Sequence, residues 1–98
     1  MYLILLTYVR PADEVAAARP AHRAYLDTLY AQGKLVFSGP QDPLRGGVVL
    51  ARVDAEEEVQ RIIAADPFFT DGVATYEAIR FTAVKYDPAF APFVDPVS

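Results

Sequence analysis

The chain has no cysteine, no tryptophan and a single histidine in 98 residues. The first absence excludes a disulfide framework, thiolate nucleophiles and zinc–thiolate sites. One histidine cannot build a histidine-rich metal site within one subunit. Nine basic residues stand against thirteen acidic ones, for a net charge of −4. The bases are scattered singly, without the concentrated footprint that a nucleic-acid surface requires, so no nucleic-acid partner is expected. Long apolar runs are missing too. The richest, from Tyr2 to Val9, falls far short of the ~20 residues that cross a bilayer. It has no basic segment before it and no small-residue cleavage site after it, so it reads as a strand of a cytoplasmic protein without a membrane partner.

What is present points to a packed domain. A hydrophobic share of 53% and an aromatic share of 12% exceed what disordered chains carry. The length allows one core, not two. The apolar share is high for so short a chain, and a symmetric homodimer is the commonest cover for surplus apolar surface.

Along the chain, Tyr2 to Val9 is almost continuously apolar and ends at Arg10-Pro11, which predicts a central strand covered on both faces. Asp13-Glu14-Val15 starts a helix. Pro20 predicts a break near Arg19, because an interior proline costs about 3 kcal/mol. The main helix is then expected over residues 20–32, capped by Gly33. Leu35 to Ser38, closed by Gly39-Pro40, and Val48 to Val53, launched by Gly46-Gly47, form an antiparallel hairpin. Asp54 is the expected cap of a second helix over residues 55–65, whose core stripe is Val59, Ile62 and Ile63. Asp66-Pro67 stops it. A last strand is expected over residues 74–84, and prolines 88, 92 and 96 preclude regular structure beyond Tyr86, where Phe90 and Phe93 can pin the tail to the body or to a partner subunit. The order βαββαβ is the ferredoxin-like α+β arrangement, an antiparallel sheet with helices on one face. Two such sheets face to face make a dimeric α+β barrel.

Three segments exceed what folding requires: Arg19-Pro20-Ala21-His22, Ser38-Gly39-Pro40 and Asp66-Pro67-Phe68. His22 falls in the first turns of the expected main helix and shares a face with Leu26 and Leu29, so the imidazole is aimed inward or at a cleft. With an ordinary pKa of about 6.5, imidazole is the side chain suited to proton transfer near neutrality. A carboxylate such as Asp66 would orient the ring and fix its tautomer. Plainer readings stand beside these: a packed histidine with one hydrogen bond, an aspartate that satisfies a helix end, and a serine that bonds a turn.

The set Pro20-Ala21-His22 with Tyr25-Leu26, Gly33-Lys34-Leu35, Ser38-Gly39-Pro40, and Asp66-Pro67-Phe68 with Gly72 resembles the YciI-like (YCII-related) family over residues 2–85. The resemblance implies a domain over residues 1–85 followed by a Pro-rich tail over residues 86–98. It also implies a dimeric ferredoxin-like α+β barrel and a His–Asp dyad at His22 and Asp66. Ser38 and Gly39 would border the substrate pocket and Phe68 would form part of its wall. Relatives include a dehydrochlorinase of chlorinated hydroxyquinols, and the fold is similar to that of muconolactone isomerases. The function so implied is acid–base proton transfer or elimination on a small cyclic or aromatic substrate, with His22 as acid/base, Asp66 as orienter and Ser38 as donor to a substrate oxygen. Such chemistry requires no metal and no organic cofactor. Two other classes remain open: a non-catalytic small-molecule-binding or dimerisation module, and a cofactor-free monooxygenase on the same barrel.

Overall fold

The computed structural model describes residues 1–95. Strands β1 (Tyr2–Tyr8), β2 (Leu35–Pro40), β3 (Gly46–Ala51) and β4 (Ala74–Arg80) form one antiparallel sheet in the order β2-β3-β1-β4. Helices α1 (Ala12–Ala31) and α2 (Glu56–Ala64) and the short α3 (Pro67–Thr70) lie between them in the chain. This is the expected ferredoxin-like α+β topology, and β1 is central as its apolar run predicts.

One side of the sheet carries the core. Tyr2, Ile4 and Leu6 of β1, Val49 and Ala51 of β3 and Ala74 of β4 pack with Val15, Ala18, Leu26 and Leu29 of α1 and with Val59, Ile62 and Ile63 of α2. Helices therefore cover one face only. Leu3 and Leu5, on the other face of β1, are half-buried, so the expected cover on both faces is incomplete within one chain. Gly46 shows how tightly the centre is built: a Cβ there would sit 1.7 Å from the Leu6 carbonyl oxygen. Only glycine allows β3 to approach β1 at that point.

Several local expectations change. Helix α1 runs unbroken through Pro20. Pro20 and Ala16, whose carbonyl loses its amide partner, are both exposed, so water can take that carbonyl. The buried stripe Val15, Ala18, His22, Leu26, Leu29 holds the helix to the sheet on either side of the proline. Asp54 is not a cap. The N-cap of α2 is Ala55, without a side-chain bond, and Asp54 instead receives Arg80 at 2.8 Å. Helix α1 does end as expected, with Gly33 at φ 72 just beyond the C-cap Gln32.

Strand β4 stops at Arg80, short of residue 84. The tail is more regular than its prolines suggest, with a 3₁₀ helix over Pro88–Phe93. Pro88 occupies an opening position, where no amide donor is needed, and Asp87 caps the turn by accepting from the Ala89 amide at 2.9 Å. Arg52 ties it down by donating to the carbonyls of Pro92 at 2.8 Å and Asp95 at 3.1 Å, with its guanidinium 5.7 Å from the Phe93 ring centroid. Pro96 lies outside the described residues. Among those residues, no helix is long and apolar enough to cross a membrane.

Candidate active site

His22 sits in the middle of α1, not in its first turns, because the helix begins before Pro20. Its place in the buried stripe turns the ring toward the sheet, and only 9% of the residue is exposed. Asp66 occupies the joint between α2 and α3. The following proline keeps it out of helical geometry (φ −72, ψ 127), which makes it the N-cap of α3. One carboxylate oxygen, Oδ1, accepts from the Phe68 amide at 3.0 Å and lies 2.7 Å from His22 Nδ1. Helix capping and pairing with histidine are thus both performed by Asp66, through the same atom.

A carboxylate can only accept, so the Nδ1 of His22 carries the proton and Nε2 is the basic nitrogen of the neutral ring. Nε2 has no protein partner among the described residues. It is also not sealed away, since the Tyr76 hydroxyl is the one described side-chain polar atom both buried and unpartnered. Phe68, 2% exposed, stacks on the imidazole with centroids 3.9 Å apart and planes within 5°. Tyr8 meets the edge of Phe68 at 5.8 Å. These contacts hold the ring in one plane.

A cavity of about 460 Å³ opens beside it. Leu6, Tyr8, Val49 and Phe68 supply apolar wall, Ser38, Gly39 and Pro40 come from β2, and Arg19 and Arg23 flank His22 on α1. Four of the expected site residues, His22, Ser38, Gly39 and Phe68, therefore border one space. Asp66 does not line it and holds the imidazole from behind. Ser38 Oγ is 2.6 Å from the Tyr30 hydroxyl.

Tyrosines surround the carboxylate. Burial, then the negative charge of Asp66, push the Tyr76 hydroxyl well above its ordinary range. The same two causes raise Tyr25, whose hydroxyl donates to the Ile62 carbonyl at 2.7 Å. Tyr76 lies near enough to feel the carboxylate but outside hydrogen-bonding geometry with it. Among the described residues no three His, Asp or Glu side chains gather as a metal site would need.

Tyr8, Tyr30, Tyr76 and Arg23 were not singled out by sequence pattern. Signals did exist: Tyr8 continues the alternation of Ile4 and Leu6 on the helix side of β1, and Tyr30 lies farther along the His22 face of α1.

The family model for the YCII-related domain matches residues 1–82. The proteins called YciI from Escherichia coli O6:H1 (strain CFT073) and from Shigella flexneri are each 31% identical over 74 residues, covering 65% of this chain and 76% of theirs. The solved structure of 5-chloro-2-hydroxyhydroquinone dehydrochlorinase (TftG) from Burkholderia phenoliruptrix AC1100, in complex with 2,5-dihydroxybenzoquinone, superposes with a TM-score of 0.65. It shares 24% identity and is matched over 83% of this chain and 93% of its own. At that identity the likeness is one of fold.

Proposed function

The chain belongs to the family of YCII-related domains, and from that premise we propose that it is a small-molecule enzyme in which His22 moves a proton and Asp66 orients it. The observation that carries this reading is the 2.7 Å bond from Nδ1 to a buried carboxylate, which leaves Nε2 open beside a cavity of about 460 Å³. Nε2 takes a proton from a ring carbon or hydroxyl of the substrate, and Asp66 stabilises the imidazolium that forms. The electron pair left behind becomes a new double bond. In an elimination the leaving group departs with its own pair; in an isomerisation the imidazolium returns the proton to a different atom. Neither route consumes an oxidant, and the reading uses no metal and no organic cofactor.

Ser38 supplies a hydrogen bond to a substrate oxygen. When the Tyr30 hydroxyl donates to Ser38 Oγ, the serine proton is free to point at the ligand. Gly39 borders the substrate with main chain alone, and Phe68 keeps the ring pinned. The substrate class is a small cyclic or aromatic molecule, in keeping with a fold shared with a dehydrochlorinase that holds a hydroxylated quinone. We assign the catalytic domain to residues 1–85 and a tail to residues 86–98, in a cytoplasmic homodimer. The open sheet face supports the dimer, because register aligns Phe37, Leu50, Leu3 and Ile79 in one apolar row across all four strands.

His22→Ala tests the assignment. Screened on chlorinated hydroquinols and small unsaturated lactones, the variant should lose about 10²- to 10⁴-fold in kcat/KM, the share that general acid–base catalysis supplies. Its circular dichroism should be unchanged. Activity equal to wild type removes His22 from the mechanism, and wild-type binding without turnover assigns the cavity to a non-catalytic binder.

A further inference from the structure

We propose that the cavity selects anionic ring compounds, with Arg19 and Arg23 as the anion-holding pair. The inference deepens the reading above and depends on it for the location of the substrate. Residues 19, 22, 23 and 26 share one face of α1, and all four line the cavity. The two arginines therefore flank His22 along the helix. No aspartate or glutamate lines the space.

Neither arginine is neutralised. Arg10, Lys34 and Arg80 each have an acidic partner within 4.0 Å, whereas Arg19 and Arg23 have none among the described residues. Asp27, one turn beyond Arg23, is exposed and makes no such pair. Two like charges four residues apart disfavour a helix, and here no ion pair within 4.0 Å offsets them among the described residues. In a chain of net charge −4, this leaves two unpaired cations on the wall of the cavity.

A guanidinium presents a planar pair of donors that fits a carboxylate, and it also takes a phenolate or enolate oxygen. An anion clamped there leaves the carbon skeleton against Leu6, Tyr8 and Phe68, within reach of the imidazole. The clamp also serves the chemistry. A base that removes a proton from an anion adds a second negative charge to the ring, and fixed guanidinium groups stabilise that charge as it develops. The cavity has ample room for such a ring.

Isothermal titration with two matched pairs of probes tests the proposal: benzoate against benzamide, and 2,5-dihydroxybenzoquinone against its uncharged dimethoxy analogue. Wild type should bind each anion at least about tenfold more tightly than its neutral partner. Arg19→Gln/Arg23→Gln should lose about tenfold for the anions and nothing for the neutral probes. Raising salt from about 0.05 to about 0.5 M should weaken anion binding in wild type and much less in the variant. Equal affinity within each pair, unchanged anion affinity in the double variant, or no anion binding overturns the proposal. Failure of the catalytic reading looks different: the anion preference persists while neither wild type nor His22→Ala turns over any substrate.

Discussion

The two faces of the sheet are built from the same strands yet obey different rules. On the helix side, the core residues from β1, β3 and β4 are buried, and the polar groups admitted there are tied to partners, with the Tyr76 hydroxyl the exception. Asp66 serves both an amide and an imidazole, and its position fixes which histidine nitrogen is basic. On the other side the row Phe37, Leu50, Leu3, Ile79 crosses the sheet without a covering helix, and Phe37 and Ile79 remain 49% and 42% exposed. Burial alone does not distinguish a working face from a structural one. The distinguishing feature is a polar group whose satisfaction leaves one of its own atoms free, as the bond from Nδ1 leaves Nε2. The open face offers apolar area that no helix covers within one chain, and that area is what the proposed homodimer would use.

The largest expected effect comes from placing one charge on each face of β1. Ile4→Asp puts a carboxylate in the core, where Ile4 is 2% exposed and belongs to the apolar cluster. The cost, above about 5 kcal/mol, is comparable with the total stability of a small domain, and the chain should be unfolded by circular dichroism. Leu3→Asp, one residue away on the open face, should keep its fold and lose its self-association in sedimentation velocity. If Leu3→Asp stays dimeric, association does not run through this face.

The contrast was partly legible in the sequence. Alternation in β4 and the stripe in α2 follow from spacing alone, and the element order dictated the topology. The His22–Asp66 pairing was not readable from spacing, because 44 positions separate the two and only the packing of α1 against the α2–α3 joint sets the distance. Propensity misjudged Pro20: tertiary burial of the flanking stripe outweighs one lost helical hydrogen bond when the orphaned carbonyl faces water. Asp54 misled in the opposite way. It stands where a cap belongs, yet its carboxylate is drawn to Arg80 at the end of β4.

A smaller effect compares two aspartates. Asp66→Ala removes the cap of α3 and strands both the Phe68 amide and His22 Nδ1, at a combined cost of about 2–4 kcal/mol in urea denaturation. Asp54→Ala breaks an exposed ion pair with Arg80, whose side chains are 53% and 61% accessible, and should cost much less than the loss of Asp66 because solvent screens the pair. Equal losses would mean that the buried pairing contributes no more than a surface one.

The smallest effect tests the one loose polar atom on the helix side. The Tyr76 hydroxyl is buried with no hydrogen-bond partner, so Tyr76→Phe removes an uncompensated group and should leave stability at neutral pH unchanged or raised by up to about 1 kcal/mol. A loss of that size would instead reveal a bond, with Asp66 the nearest acceptor, and Tyr76 would become a positioning residue for the dyad. Alkaline pH gives a second measure with a definite sign. Burial and the Asp66 charge raise the hydroxyl above its ordinary value of 10.0, so the unfolded chain releases this proton first. Tyr76 therefore contributes nothing to pH dependence below that value, and above it the wild type loses stability by at most about 1.4 kcal/mol per pH unit on its account. Tyr76→Phe should flatten that decline. An identical decline in both chains would show that the hydroxyl ionises as readily folded as unfolded, and hence that water already reaches the back of the dyad.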